Sequence, residues 1–158
     1  MIAPFLEPSN KQSLRQPLTA VGIDPGERTG FVLVTVSFDD KTVTIERSMI
    51  IPDGIEGVTN SKHIVSNDVI NATYCVCETW VNYAGLDSNI VNQVIGAFYF
   101  LRGKSPFYLT QPNERNLARA VFKYAKPSHD PDNLSALLHV LSFLLRKKII
   151  DPTFTIQN

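Results

Sequence analysis

A change of period midway along the chain constrains its fold more than any other feature. Up to about residue 78 the apolar residues come in short runs rich in Val, Ile, Thr and Phe; from about residue 87 they recur every three or four positions. In the first part Leu18 to Ile23 stops at the turn signal Asp24-Pro25-Gly26. Phe31 to Phe38 and Thr42 to Ile51 flank Asp39-Asp40-Lys41 as the arms of a hairpin, which predicts three antiparallel strands at the start. Gly57 to Asn71 has mixed spacing and reads as a helix, and Thr73 to Glu78 as a further strand. In the second part Ile90, Val91, Val94, Ile95, Phe98 and Leu101 make one helical face over Asp87 to Leu101, ended by Gly103. A short strand over Pro106 to Thr110 follows, then helices over Asn113 to Tyr124 and over Pro131 to about Lys147. Such an order packs as α/β, a mixed sheet with helices on both faces.

Composition narrows the class. The chain has 158 residues, 44% of them hydrophobic, enough for one domain with a core that needs neither disulfides nor a structural metal. Its hydrophobic content excludes a disordered chain, and no uncharged apolar stretch approaches the ~20 residues that span a bilayer. Residues 1–17 contain three prolines and lack both the apolar core of a secretory signal and the Arg-rich character of a transit peptide, so they read as an N-terminal extension. The domain is expected over 18–150, with 151–158 as a C-terminal tail. Cys75 and Cys77, two apart on the Thr73 to Glu78 strand, point to one face and cannot bridge each other; a buried, reduced pair fits a cytoplasmic protein.

Fifteen Lys and Arg balance fifteen Asp and Glu, but unevenly: residues 1–99 carry six basic against eleven acidic residues, and residues 100–158 nine against four. In the basic half Arg115, Arg119 and Lys123 recur every four residues, one stripe if the segment is helical, with Lys126 close by. Such a stripe suits phosphates, and it equally suits an ordinary solvated helix face.

Three carboxylates stand at the ends of elements: Asp24 after the first strand, Glu78 after the fourth, and Asp132 in the first turn of the last helix. The carboxyl ends of strands in α/β sheets form the crevice where ligands bind, and carboxylates held there can ligate a metal. Taken singly, Asp24 also suits a turn former, Glu78 a surface charge and Asp132 a partner of the helix dipole. In the last helix Asp130 reads as the N-cap before Pro131. At about 100° per residue, Leu134, Leu137, Leu138, Leu141, Leu144 and Leu145 lie opposite Asp132, which shares its face with Ser135, Ala136 and His139. The leucines are therefore expected to pack the core while Asp132 faces away, free to meet the sheet edge. His129 lies three residues before Asp132, within reach of the same metal or phosphate. His139 reads as a packing residue or as support for a ligand, and His63 as a surface residue. Trp80 and Tyr83, just after Glu78, suit either base stacking or loop packing.

The segment Gly22-Ile23-Asp24-Pro25-Gly26-Glu27-Arg28-Thr29-Gly30 resembles the first-strand motif of RuvC-like Holliday junction resolvases, especially compact phage-type members. Val76-Cys77-Glu78 is similar to that family's second acidic strand, Asn92 to Ala97 to its glycine-containing helix, and His129-Asp130-Pro131-Asp132 to its closing acidic motif. The resemblance spans about residues 18–146. It implies an RNase H-like α/β fold with a five-stranded mixed sheet, and a homodimeric, metal-dependent, structure-selective endonuclease acting on branched DNA in the cytoplasm of a bacterial host of a virus. Asp24 would bridge two Mg²⁺ ions, with Mn²⁺ able to substitute; Glu78 would hold one of them, and Asp132 with His129 would complete the site. The basic stripe, with Trp80 and Tyr83, would contact DNA. Cleavage of flaps, forks or RNA-containing strands, and branched-DNA binding without cleavage, are the alternatives. The family's resolvases are commonly basic, whereas this chain is neutral. Asp-x-Gly after a first strand also occurs in actin-like and sugar-kinase ATPases, but those close two domains over a nucleotide. With 158 residues and no Gly-x-Gly-x-x-Gly loop, no nucleotide cofactor and no membrane partner are expected.

Overall fold

The computed structural model describes residues 15–79, 86–123 and 131–158. Three strands, β1 (Leu18–Asp24), β2 (Thr29–Ser37) and β3 (Thr42–Ile51), form an antiparallel meander. Two helices, α1 (Gly54–Asn60) and α2 (Lys62–Asn71), occupy the segment expected as one helix; the chain breaks at Ser61, whose N–H caps α1. Next come β4 (Tyr74–Glu78), α3 (Leu86–Arg102) and β5 (Tyr108–Thr110). A 3-10 turn (Pro112–Arg115), α4 (Asn116–Val121), α5 (Asp132–Arg146) and β6 (Thr155–Gln157) complete the order.

Among the described residues the sheet has six strands in the order β5-β4-β1-β2-β3-β6, with β4 parallel to both β1 and β5 and β6 parallel to β3. The expected five-stranded sheet thus gains a strand from the residues read as a C-terminal tail. Phe154, just before β6, is buried against the same apolar cluster as Val36 and Val43 and docks the segment. A three-residue strand is too short to leave an alternation in the sequence.

Alternation sorts the sheet into two apolar layers. Val21, Ile23, Phe31, Cys75 and Cys77 face α1, α2 and α3, meeting Val58, Val65, Val69, Val94 and Phe98. Ala20, Val32, Val34 and Val76 face α5 and its leucines. Cys75 and Cys77 are free, buried thiols on one face, as the sequence predicts; burial pushes Cys75 up to about 12 and Cys77 well above the ordinary thiol range. No helix among the described residues is long and apolar enough to cross a membrane.

The expected orientation of the last helix needs correction. Its small polar face, rather than its leucines, sits nearest the sheet: a Cβ added to Gly22 would come within 2.3 Å of the Ala136 carbonyl oxygen. Ser135, Ala136 and His139 are fully buried, as are Leu138, Leu141 and Leu144, so the helix is covered all round. A period of 3.6 separates faces but not which face is covered, and here α4 and the segment around Ile150 and Phe154 enclose the leucines with the core.

Candidate active site

Three parallel strands end side by side. The pairing Ile23 with Cys77, and Glu78 with Thr110, brings the carboxyl ends of β1, β4 and β5 level. Side chains two apart share a face, so Asp24 follows Ala20 and Gly22, and Glu78 follows Val76, onto the side covered by α5. On that helix Asp132, Ser135 and His139 are separated by three and four residues and lie along one face. Gly30 decides how closely this face descends. It pairs with Asp24 across the β1–β2 ladder, and a Cβ there would come within 1.9 Å of the Asp132 carbonyl oxygen. Two glycines of the Gly22 to Gly30 motif therefore serve as seats for α5, not as turn formers, and they carry Asp132 down to Asp24.

The resulting cluster is acidic, and most buried at Glu78. Glu78 is 2% exposed. The Asp24 carboxyl is raised from 3.8 to about 8, first by burial, then by the charge of Glu78 and a hydrogen bond to it, and further by the charge of Asp132; a hydrogen bond from Ser135 opposes the shift. The shared proton therefore resides on Asp24 at neutral pH, which donates to the Glu78 carboxylate. Glu78 Oε1 also lies 3.1 Å from His139 Nε2, while His139 Nδ1 lies 3.0 Å from Thr110 Oγ1. Arg115 Nη1 donates to Ser135 Oγ at 2.7 Å and stands 3.9 Å from Glu78 Oε1. Asp132, one third exposed, pairs with the exposed Arg28 at 3.4 Å.

The donor set suits a hard divalent cation: it is made of carboxylate oxygens, two of them close enough to share a proton. Asp24, Glu78 and Asp132 would hold it. Among the described residues no three such side chains stand close enough together to ligate one ion as they are. Arg28 Nε donates to Asp132 Oδ2.

The other expected site residues are distributed differently. Arg115, Arg119 and Lys123 do not form one helical stripe, because Arg115 lies in the 3-10 turn and α4 ends at Val121, with Lys123 at φ 57° beyond it. Arg115 turns inward to the carboxylates. Arg119 bonds Asn116 Oδ1 of its own helix and Lys123 is exposed. Trp80, Tyr83, Lys126, His129 and Asp130 lie outside the described residues. Sequence reasoning missed Thr110 and Ser135 as parts of the site, gave Arg115 to DNA alone, and left His139 open between packing and support for a ligand. The signal for two of them was present: Ser135 and His139 are polar interruptions at helical spacing from Asp132 in an otherwise apolar helix.

No protein-family model and no curated protein sequence matches the chain. Solved structures do. Thermus thermophilus RuvC aligns with a TM-score of 0.63 at 16% identity, covering 83% of this chain and 97% of that one. T. thermophilus RuvC in complex with a Holliday junction substrate aligns with a TM-score of 0.65 at 17% identity, covering 84% and 96%. At such identities the likeness speaks for architecture: the chain has a RuvC-like fold, an RNase H-type mixed α/β sheet flanked by helices.

Proposed function

We propose that this protein is a divalent-metal-dependent, structure-selective endodeoxyribonuclease that cleaves four-way or other branched DNA, with a nuclease domain that runs from residue 18 through β6. The observation that carries the reading is the buried Asp24–Glu78 pair, faced by Asp132, at the carboxyl ends of parallel strands in a RuvC-like fold. A buried carboxylate pair opposes folding unless something uses it. Water attacks phosphorus in line, the P–O3′ bond breaks, and the products carry a 5′-phosphate and a 3′-hydroxyl. Two Mg²⁺ ions, when bound, supply Lewis-acid activation of the water and stabilisation of the leaving oxygen. Asp24, Glu78 and Asp132 would hold them, joined by His129. Asp24 would be deprotonated in that state, Ser135 orients its carboxyl, and Arg115 lends positive charge beside Glu78.

The basic second half of the chain, with Arg119, Lys123 and Lys126, would take the phosphates of the arms, and Trp80 and Tyr83 would stack near the branch. A symmetric junction calls for two active sites, so the working form is a homodimer. The cytoplasm of a bacterial host is the setting this reading implies.

The test is cleavage of a labelled four-way junction beside its linear duplex and a flap, with Mg²⁺, with EDTA and with Asp24→Asn. Paired nicks across the junction, lost with EDTA and in the variant, are expected. Cutting of the flap alone would move the substrate to flaps and forks, and tight binding without cutting would leave a branched-DNA binding module. Neither binding nor cutting would refute the reading.

A further inference from the structure

The least expected feature of the site is a histidine behind it. His139 is 0% exposed, seven residues along α5 from Asp132, and its two ring nitrogens meet two different strands. A carboxylate only accepts hydrogen bonds, so the nitrogen facing Glu78, Nε2, carries the proton. Nδ1 lies 3.0 Å from the Thr110 hydroxyl, which also lies 3.4 Å from the Cys77 carbonyl oxygen. The chain Thr110, His139, Glu78 runs from the end of β5, through the helix, to the end of β4. Thr110 is itself 2% exposed and pairs with Glu78 in the β4–β5 ladder, so both ends are fixed by one backbone register.

We infer that His139 is a positioning residue: it grips Glu78 Oε1 from behind and so sets the carboxylate rotamer that a metal would meet. The geometry supports this over simple packing. A side chain that only filled space between α5 and the sheet would be apolar, as Ala136 and Val140 beside it are. Glu has three rotatable bonds, and freezing them in advance spares that loss when the ligand arrives. Partners of this kind behind a metal ligand typically change metal affinity or activity about 10–100-fold when removed.

The inference rests on the metal-dependent reading above, and the experiment separates the two. The Mg²⁺ concentration giving half of the maximal rise in melting temperature is measured on the full chain without DNA, alongside the Mg²⁺ dependence of junction cleavage. His139→Asn keeps a polar group only where Nδ1 lies and loses the contact with Glu78; His139→Gln places its amide where Nε2 lies and keeps it. The Asn variant is expected to need about tenfold more Mg²⁺ in both assays, and the Gln variant to recover most of that loss. Thr110→Val, which keeps shape and removes the hydroxyl, is expected to shift the midpoint the same way but less, and it carries the test should the Asn variant not fold. Folded Asn and Val variants with the wild-type Mg²⁺ midpoint would overturn the inference alone, as would equal shifts in Asn and Gln. A wild-type protein indifferent to Mg²⁺ would overturn it together with the metal-dependent reading.

Discussion

Replacing Asp24 by Asn should make the metal-free protein more stable, and by an amount that depends on pH. The folded protein holds a proton on Asp24 up to about pH 8, whereas an unfolded chain releases it near 3.8. Below 3.8 both states are protonated and the full stabilisation is present. Between the two values the native state binds one proton more, so stability falls by about 1.4 kcal/mol per pH unit, and the contribution is gone above about 8. From pH 5 to 7.5 the wild type should therefore lose up to about 3.4 kcal/mol from this group. Asp24 is only partly buried, and screening reduces the figure to about 2–3 kcal/mol. Asn has the shape and donor of the protonated acid and does not titrate. Thermal melts of the two proteins in EDTA, from pH 5 to 9, should diverge by about 4–12 °C across that interval, with the variant higher at pH 7.5. Mg²⁺ should reverse the order, since only the wild type has a carboxylate to release from its proton, and its apparent Mg²⁺ affinity should rise up to about pH 8. Melting curves that stay parallel across the range would refute the shared-proton account of the site.

Two further outcomes follow from the packing. Gly30→Ala forces a methyl into the Asp132 backbone, so it should destabilise the protein by about 1–3 kcal/mol and raise the Mg²⁺ requirement, both read from melts with and without metal; a neutral effect would mean α5 is not seated on β2. Phe154→Ala should lower stability by about 3 kcal/mol in urea unfolding and release β6, which loss of hydrogen-exchange protection at Thr155 would register; unchanged protection would show that the strand holds without its anchor.

Much of this arrangement is legible in the residues. The meander could be read because β2 and β3 are long enough, nine and ten residues, for composition and turn chemistry to agree. Asp24 and Glu78 stand out because each ends an apolar strand, and a strand end is a place rather than a face. The helix is different. Asp132, Ser135 and His139 clearly share a side, yet nothing local says whether that side meets water or the sheet; Gly22 and Gly30, more than a hundred residues away, decide it by lacking side chains. The Arg115, Arg119 and Lys123 stripe fails for a related reason. Its spacing presumes a helix longer than the one that forms, and the Gln111–Glu114 capping box starts the segment as a 3-10 turn that swings Arg115 toward the carboxylates.

The sheet's two margins have a consequence for how copies of this chain meet. Both outer strands, β5 and β6, are three residues long, so a strand from another molecule laid against either would gain only about two backbone hydrogen bonds. That is too little to template a ribbon running from one molecule to the next, and it protects against fibre growth without a single charge placed for the purpose. Any pairing of two copies would fall to helix surfaces, where side-chain shape rather than main-chain adhesion selects the partner.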